Sequence, residues 1–476
     1  MEKTRVDVLL HNAFIVTMDG DRRIIPRGAM AVEGDSIAAI GDSDEIVNHF
    51  TGNKSIDARG KFVFPGFVTT HTHLFQTMLK GLGRDKRLLD WLDNSVRRAY
   101  HQYDEETIYY AALAGLIEAL RTGTTTVTDS QYCHAKRGLD RPVLEAYEKL
   151  GVRGVLSKSH SDASAFPEEI RPDYVETEED FLRETEELCR EYQDHPRISM
   201  SIAPGIIWDL SRRGYERTRE IADRWKIPIT MHLVETPDDD EFSRNKYGKS
   251  TIDFLEECGV LGPDFVAVHG VYVEEKDIET FKRHGVKVSH CPVSNMILAS
   301  GVAPVPRYLE EGIPVSLACD GAASNDTQNM LEVLKTTALL HKVSGGNAAN
   351  VSAPQVLEMA TLGGARSLGM GDAIGSLETG KKADFFIFDP IRSISVPIHD
   401  PVSALVYSAS PSNIETTVVG GKVLLEKGEL QGQDEEGILY KAQELARKLV
   451  ARSGLGNVQW GQKVQLPPFT ARQDTK

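Results

Sequence analysis

Cysteine is scarce in this sequence and is not arranged to bind metal. The 476 residues include only five cysteines, and no two of them form a C-x-x-C pair. A scattered, odd number of cysteines argues against a disulfide scaffold or a zinc ribbon and is typical of a reducing compartment. We therefore expect a cytoplasmic protein. The five are Cys133, Cys189, Cys258, Cys291 and Cys319.

Basic residues are outnumbered by acidic residues, and long apolar runs are absent from the sequence. The chain has 54 Lys and Arg against 70 Asp and Glu, a formal net charge of −16. A surface of that sign repels nucleic-acid phosphates and anionic lipids. No apolar stretch is long enough to cross a bilayer, and the N-terminal MEKTRVDVLLHNAF has no signal-peptide core. We expect neither a nucleic-acid nor a membrane partner.

What is present is a regular alternation of strand-like and helical segments between residues 67 and 320. Segments such as EETIYYAALAGLIEALRTG repeat apolar residues at helical spacing. Eight strands alternating with helices predict an α/β fold, a (β/α)8 TIM-like barrel. A doubly wound open sheet is the alternative. In that fold a glycine-rich loop normally follows the first strand, whereas the first predicted strand of this chain ends in H-T-H. The runs are FVTTH (67–71), TTTVTDS (124–130), VRGVLSKS (152–159), ISMSIAP (198–204), PITMHLVE (228–235), FVAVHG (265–270), KVSHCP (287–292) and PVSLACD (314–320).

Both chain ends have short strands with Gly-Asp turns and little helix between them. Each set alone is too small for an independent core, so we expect the two to pair into one small β-sandwich domain formed by both termini. The predicted division is 1–63 and 377–476 for the sandwich and 64–376 for the barrel. The last part adds a surface helix at 438–454 and a polar, extended tail beyond 461. The acidic run DDDE (238–241) and the charged segment KGLGRDKR (80–87) are expected to be loops, and a lid role for the latter stays open.

Ionisable side chains stand where several predicted strands end. His71 ends the first strand with His73 just beyond it, His232 ends the fifth, His269 the sixth and Asp320 the eighth. The carboxyl ends of barrel strands meet at one face, where imidazoles and a carboxylate suit Zn²⁺ or Fe²⁺. Each residue alone has an ordinary structural explanation. Together, so many polar groups at the ends of buried strands would be costly unless they served one another or a metal. Glu235, three residues past His232, reaches the same cavity, and His290 is interpreted as structural or pocket-lining rather than as a ligand.

Motifs along nearly the whole chain resemble the amidohydrolase superfamily, in its aminohydrolase branch of triazine hydrolases and purine or adenosine-type deaminases. The matching stretches are PGFVTTHTH, RTGTTTVTD, HLVET, AVHG, VSHCPVSNMILASGVAPV, LACDGAASND and ATLGGARSLGMGDAIGSLETGKKADFFIFD. The resemblance implies that His71, His73, His232 and Asp320 bind one divalent metal ion, with Zn²⁺ favoured over Fe²⁺. It also implies a single ion, because no barrel lysine stands where two-metal members carry a bridging carbamate.

The chemistry implied by the resemblance is hydrolysis of an exocyclic C–N bond to an oxo product and ammonia. A bound metal lowers the pKa of water towards 7. The catalytic residues would then be Asp320, which takes a proton from that water, Glu235, which protonates a ring nitrogen, and His269, which polarises the attacking oxygen.

The resemblance also suggests which residues contact a small heterocyclic substrate, namely Gln76, Trp91, Tyr100, Asn295, Ser324 and Asn325. Tyr100 replaces the ribose-binding glutamate of adenosine-type deaminases, which argues against nucleosides. Gly321 replaces a larger polar residue of the dechlorinating and melamine enzymes, which argues against dechlorination. A purine base, pterin or s-triazine remains the expected substrate. The alternatives are an s-triazine chlorohydrolase or N-alkylaminohydrolase, a methylthioadenosine/S-adenosylhomocysteine deaminase, and a non-catalytic scaffold barrel. Relatives usually assemble, so a homo-oligomer is expected.

Overall fold

A computed structural model describes residues 3–162, 168, 173–393 and 395–456, together with the backbone of 458–459 and 462–463. Its strands fall into a barrel, a terminal sheet and a short hairpin. The strands are β1 (Thr4–Val16), β2 (Ile24–Glu33), β3 (Ser36–Asp42), β4 (Phe50–Asp57), β5 (Phe62–Pro65), β6 (Phe67–Thr72), β7 (Thr124–Gln131), β8 (Arg153–Ser159), β9 (Ile198–Ala203), β10 (Ile229–Leu233), β11 (Phe265–His269), β12 (Lys287–His290), β13 (Val315–Leu317), β14 (Phe385–Phe388), β15 (Ile414–Val419), β16 (Lys422–Glu426), β17 (Glu429–Leu430), β18 (Val458–Gln459) and β19 (Gln462–Lys463).

The barrel consists of β6 to β13, which pair in chain order and run parallel throughout. All eight predicted strands are confirmed. The first and last strands are joined by several hydrogen bonds, among them those from Asp320 N to His71 O at 3.1 Å and from Thr70 Oγ1 to Leu317 O at 3.2 Å. This closure brings the carboxyl ends of β6 and β13 together, which positions the site described below.

Helices between the barrel strands bury their apolar faces, as the helical periodicity predicts. The longest of them begins at Asp104, whose side chain accepts a hydrogen bond from Thr107 N. The helices are α1 (Ser43–His49), α2 (Leu88–Asn94), α3 (Val96–Ala99), α4 (Glu105–Arg121), α5 (Arg141–Leu150), α6 (Glu178–Tyr192), α7 (Arg212–Trp225), α8 (Pro237–Tyr247), α9 (Thr251–Glu257), α10 (Glu275–His284), α11 (Pro292–Ile297), α12 (Val305–Glu310), α13 (Met330–Ser344), α14 (Ala353–Ala360), α15 (Leu362–Ser367), α16 (Pro401–Tyr407) and α17 (Glu435–Arg452), with 3-10 turns at Leu74–Leu79, Tyr100–Gln102 and Pro411–Asn413.

The two chain ends form one nine-stranded, mostly antiparallel sheet, in the order β17-β16-β15-β14-β5-β1-β2-β3 with β4 paired to β1. The C-terminal strand β14 pairs directly with the N-terminal strand β5. The fold class is therefore confirmed as a barrel with a small β-module built from both termini. The boundaries at 63–64 and 376–377 remain predictions.

One loop expectation is wrong. The run DDDE (238–241) lies in the first turns of α8 rather than in a loop. Pro237 at the first helical position favours the helix, and acidic residues near a helix N-terminus interact favourably with its dipole. The predicted C-terminal helix is confirmed as α17. The tail beyond 461 lies outside the described residues, apart from the backbone of 462–463. Among described helices, none has the length and apolar character that crossing a bilayer requires.

A buried ion pair joins the barrel to the terminal sheet. Arg153 on β8 donates two hydrogen bonds to Asp384, at 2.7 Å from Nε and 3.1 Å from Nη2, and both side chains are buried. Removing one partner of such a pair leaves an uncompensated buried charge, so we expect Asp384→Ala to lower the free energy of unfolding by about 3–5 kcal/mol. Denaturant unfolding of the two proteins measures the difference.

The matched control is the exposed pair between Arg141 and Glu191, which is also bidentate, with bonds of 3.0 and 2.9 Å. Solvent screens this pair, so Glu191→Ala should cost no more than about 1 kcal/mol. Equal losses in the two variants would contradict a structural role for the buried pair.

Candidate active site

The four predicted metal ligands converge at the carboxyl ends of the barrel strands. His71 lies in β6, His73 directly follows it, His232 lies in β10 and Asp320 follows β13. Nε2 of His73 lies 3.2 Å from the Nε2 atoms of His71 and His232, and the three ligand atoms lie within 4.8 Å of one another. Asp320 Oδ1 lies 3.5 Å from His71 Nε2 and 3.4 Å from His73 Nε2. Four donor atoms therefore surround one point.

The hydrogen bonds of two of these imidazoles leave their Nε2 atoms unprotonated. His73 Nδ1 donates to Ser130 O at 2.7 Å, and His232 Nδ1 donates to Gly205 O at 3.1 Å. Burial and the neighbouring His71 lower the pKa of His73 to about 3, and burial with the nearby imidazoles holds the pKa of His232 well below its usual value. Both rings are therefore neutral, and their lone pairs face each other. Ligands of one tetrahedral ion lie about 3.4 Å apart, so the cluster fits a divalent cation.

Asp320 is held as a carboxylate beside these rings. Gly321 N donates to its Oδ1 at 2.7 Å, and Ser324 Oγ donates to its Oδ2 at 3.3 Å. Burial opposes ionisation, but the hydrogen bond from His71 and the surrounding imidazoles keep the pKa of Asp320 well below its usual range. Its backbone φ of 62° and that of His269, 73°, lie in the left-handed region. Such strain persists where the surrounding structure fixes it, and it clusters at functional sites.

Glu235 and His269 lie side by side next to the ligand cluster. His269 Nδ1 donates to Asn295 Oδ1 at 2.8 Å, because an amide oxygen can only accept. The other ring nitrogen, Nε2, lies 3.4 Å from Glu235 Oε2. Ser300 Oγ donates to Glu235 Oε1 at 2.7 Å and fixes the carboxyl group. Burial raises the pKa of Glu235, against the opposing charge of His269. A carboxyl group tuned in this way suits general acid–base catalysis.

The cluster opens into a cleft at the carboxyl ends of the barrel strands. Apolar and aromatic side chains form much of its wall, as is usual for small-molecule sites. Four of the six predicted substrate-contacting residues line this cleft, namely Gln76, Trp91, Tyr100 and Ser324. The other two make contacts behind it. Asn295 accepts the hydrogen bond from His269, and Asn325 Nδ2 donates to Cys319 O at 2.6 Å. A substrate contact for any of the six stays a prediction.

The side chain of Gln76 occupies the space that a side chain at position 321 would need. A Cβ atom on Gly321 would lie 1.9 Å from Gln76 Oε1, so a side chain there would displace the glutamine. Gln76 Nε2 donates to the hydroxyl of Tyr132 at 2.8 Å, and its Oε1 has no hydrogen-bond partner among the described residues. The departure from the family pattern at 321 therefore makes room for Gln76 in the cleft.

One wall of the cleft escaped sequence reasoning. It contains Ser159, the last residue of β8, His160 and Ser161, which follow it, and Asp209, which lies beyond β9. The signal was available in part, since His160 stands just after a predicted strand, as His73 does. Asp209 lies six residues beyond β9, and only the folded chain shows that it returns to the cleft.

A fully buried lysine on β8 lies behind this wall. Lys158 Nζ lies 2.7 Å from Glu176 Oε1 and 3.0 Å from Asp140 Oδ2. The two carboxylates offset the cost of burying the ammonium group and raise its pKa. Lys158 is therefore a positively charged ammonium group that is paired with these carboxylates. This is consistent with the expectation of a single metal ion.

The chain resembles known proteins in sequence and in fold. A model of the amidohydrolase family matches residues 62–424. The 5-methylthioadenosine/S-adenosylhomocysteine deaminase of Syntrophobacter fumaroxidans is 35% identical over 449 residues, or 94% of this chain and 100% of the relative. An adenosine deaminase from Xanthomonas campestris with bound zinc superposes with a TM-score of 0.88 at 27% identity, over 94% of this chain and 100% of that one. Zinc-bound atrazine chlorohydrolase from Arthrobacter aurescens gives 0.85 at 26% identity, over 92% and 100%.

Proposed function

This chain belongs to the amidohydrolase family, and on that premise we propose that its cleft removes the 6-amino group of an adenosine-type nucleoside with one zinc ion bound. The chain is a hydrolase of the deaminase type, acting on the C–N bond of an amino-substituted nitrogen heterocycle. The observation that carries the proposal is the placement of Glu235 and His269, 3.4 Å apart, directly beside a four-ligand cluster.

Each polar group of the site has a task in this hydrolysis. A divalent cation held by His71, His73, His232 and Asp320 would lower the pKa of a coordinated water from 15.7 to about 7. Asp320 is ionised because its pKa is held low, so it would be available to accept the proton of the attacking water. Glu235 donates a proton to the ring nitrogen next to the attacked carbon, which neutralises the charge that develops there. His269 hydrogen-bonds the oxygen that adds to the ring.

The nucleoside is proposed from the relatives. The deaminases named above are named for methylthioadenosine, S-adenosylhomocysteine or adenosine. The replacement of a ribose-binding glutamate by Tyr100 argued against nucleosides. In the structure the hydroxyl of Tyr100 accepts a hydrogen bond from His134 N at 2.9 Å, so Tyr100 has a contact within the protein. Zinc is proposed because both solved neighbours hold it and because this ligand set suits it. A cytoplasmic location and a homo-oligomeric state remain predictions.

The test is ammonia release by the metal-loaded protein from a panel of adenosine, methylthioadenosine, S-adenosylhomocysteine, adenine, 8-oxoguanine, melamine and atrazine. We expect kcat/KM for at least one nucleoside in the range of about 10⁴–10⁸ M⁻¹s⁻¹ that is typical of enzymes on their substrates. Adenine should be much poorer, because it lacks the contacts made by the rest of the nucleoside. Turnover of a base alone, with every nucleoside inert, would contradict the proposal.

One observation favours a second candidate, displacement of a substituent from an s-triazine. Gln76 presents an unpartnered Oε1 at the cleft, and the zinc-bound neighbour that superposes at 0.85 is named for atrazine. Chloride or alkylamine release from atrazine at a kcat/KM above that of every nucleoside would establish this activity instead.

A further inference from the structure

The wall of the cleft formed by Ser159, His160, Ser161 and Asp209 has a carboxylate at its centre. Asp209 is buried, and both of its oxygens are fixed by backbone donors. Ile206 N donates to Oδ2 at 2.9 Å, and Asp162 N donates to Oδ1 at 3.1 Å. The carboxylate is therefore rigidly placed at the edge of the cleft without any part in the metal cluster.

Asp209 retains hydrogen-bonding capacity towards the cleft. A carboxylate has about four acceptor positions, and the backbone fills one on each oxygen, which leaves one on each. Among the described residues, no lysine, arginine or histidine lies within salt-bridge distance of it. On the same wall, Ser159 Oγ is buried without a described hydrogen-bond partner, whereas His160 Nδ1 lies 3.8 Å from Glu176 Oε2. Buried polar groups are normally satisfied, so groups left open at a cleft indicate a ligand that completes them.

The position of Asp209 relative to the reaction centre follows from Gly205. Gly205 O accepts the hydrogen bond from His232 Nδ1, and a Cβ atom on Gly205 would lie 2.2 Å from Asp209 Oδ2. The glycine thus separates a metal ligand on one side from the carboxylate on the other. A substrate with its heterocycle at the metal would run past Gly205, and its substituent would meet Asp209.

We propose that Asp209 recognises the ribose of the substrate by accepting hydrogen bonds from the vicinal 2′- and 3′-hydroxyl groups. Two parallel acceptors on one rigid carboxylate match two adjacent hydroxyl donors, and charged acceptors make the stronger hydrogen bonds. This inference rests on the proposed function. It assigns the sugar contact to the loop after β9 and explains how Tyr100 is tolerated where the family pattern has a carboxylate.

The first test needs no variant. The metal-loaded wild type is compared on adenosine, 2′-deoxyadenosine and 3′-deoxyadenosine. Losing one hydrogen bond to a charged acceptor should lower kcat/KM by about 10- to 100-fold for each deoxy substrate. Equal kcat/KM for all three would overturn the proposal, even if deamination itself is established.

The second test assigns the contact to Asp209. We expect Asp209→Asn to lower kcat/KM for adenosine by about 10-fold or more, while the deoxy substrates, which already lack one contact, lose much less. A purely structural role as a turn-fixing carboxylate would lower all three substrates by the same factor, and that result would overturn the proposal. The exposed Asp194→Asn is the matched control and should leave all three rates unchanged. The thermal midpoint and metal content of each variant show whether it is folded and loaded.

Failure of this inference is distinguishable from failure of the proposed function. If the wild type deaminates adenosine but does not discriminate against deoxy sugars, only the role of Asp209 is wrong. If the wild type releases ammonia from no nucleoside, both are wrong.

Discussion

Glu235→Gln is expected to lower kcat for the best substrate by about 10²–10⁴-fold, while metal content and fold are kept. Glutamine has the shape of the glutamic acid and can still accept the hydrogen bond from Ser300 Oγ, which lies 2.7 Å from Glu235 Oε1. Its amide can donate to His269 Nε2, so the local contacts survive. What it cannot do is deliver a proton to the ring nitrogen. Steady-state kinetics with metal analysis of the same sample measures the effect.

The pH profile separates loss of the acid from a general disturbance. Burial raises the pKa of Glu235, and the group must be protonated to act, so wild-type kcat should fall as the pH rises through that raised value. The amide has no such proton, and the residual rate of the variant should lack this decline. Glu241→Gln, an exposed carboxylate on the neighbouring α8, is the matched control and should keep wild-type kcat. Retention of more than about a tenth of kcat by Glu235→Gln would refute the assigned role.

Much of the barrel could be predicted from the sequence, because strands covered on both faces form continuous apolar and β-branched runs. All eight runs became β6 to β13. The closure of the barrel could not be read in the same way. The bond from Asp320 N to His71 O joins strands at opposite ends of the barrel sequence, and no local pattern specifies it. The DDDE run shows that composition alone can mislead a secondary-structure prediction. Its acidic residues were expected to form a loop, whereas Pro237 and the helix dipole favour α8.

The core of the site was predictable for a geometric reason, namely that the carboxyl ends of barrel strands meet at one face. Residues that depend on loop paths were not. Asn295 lies on the short helix α11, whose course turns its amide towards His269 rather than into the cleft. Asp209 reaches the cleft only because Gly205 allows the chain to turn tightly, with a φ of 74°. Side-chain packing such as Gln76 over Gly321 is likewise a property of the folded chain.

Loss of one metal ligand is the second large effect that we expect. His73→Ala should reduce the metal content from about one ion per chain to nearly none and should abolish turnover, because His73 Nε2 lies at the centre of the cluster. The matched control is His341→Ala, which removes an equally buried imidazole that contacts His290 instead. That variant should keep its metal. Elemental analysis after dialysis measures both, and full metal content in His73→Ala would contradict the ligand assignment.

Metal removal should also appear in stability, independently of turnover. An ion at about 1,000 times its dissociation constant stabilises the folded state by about 4 kcal/mol, so a chelator should lower the thermal midpoint of the wild type and leave that of His73→Ala unchanged. Protons should compete for this site only in strong acid, since burial and His71 lower the pKa of His73 to about 3. Exposed histidines, in contrast, would begin to release their metal near their ordinary pKa of about 6.5. We therefore expect the metal to survive dialysis at about pH 5.5, and its loss near pH 6.5 would show that these imidazoles are not held neutral by burial.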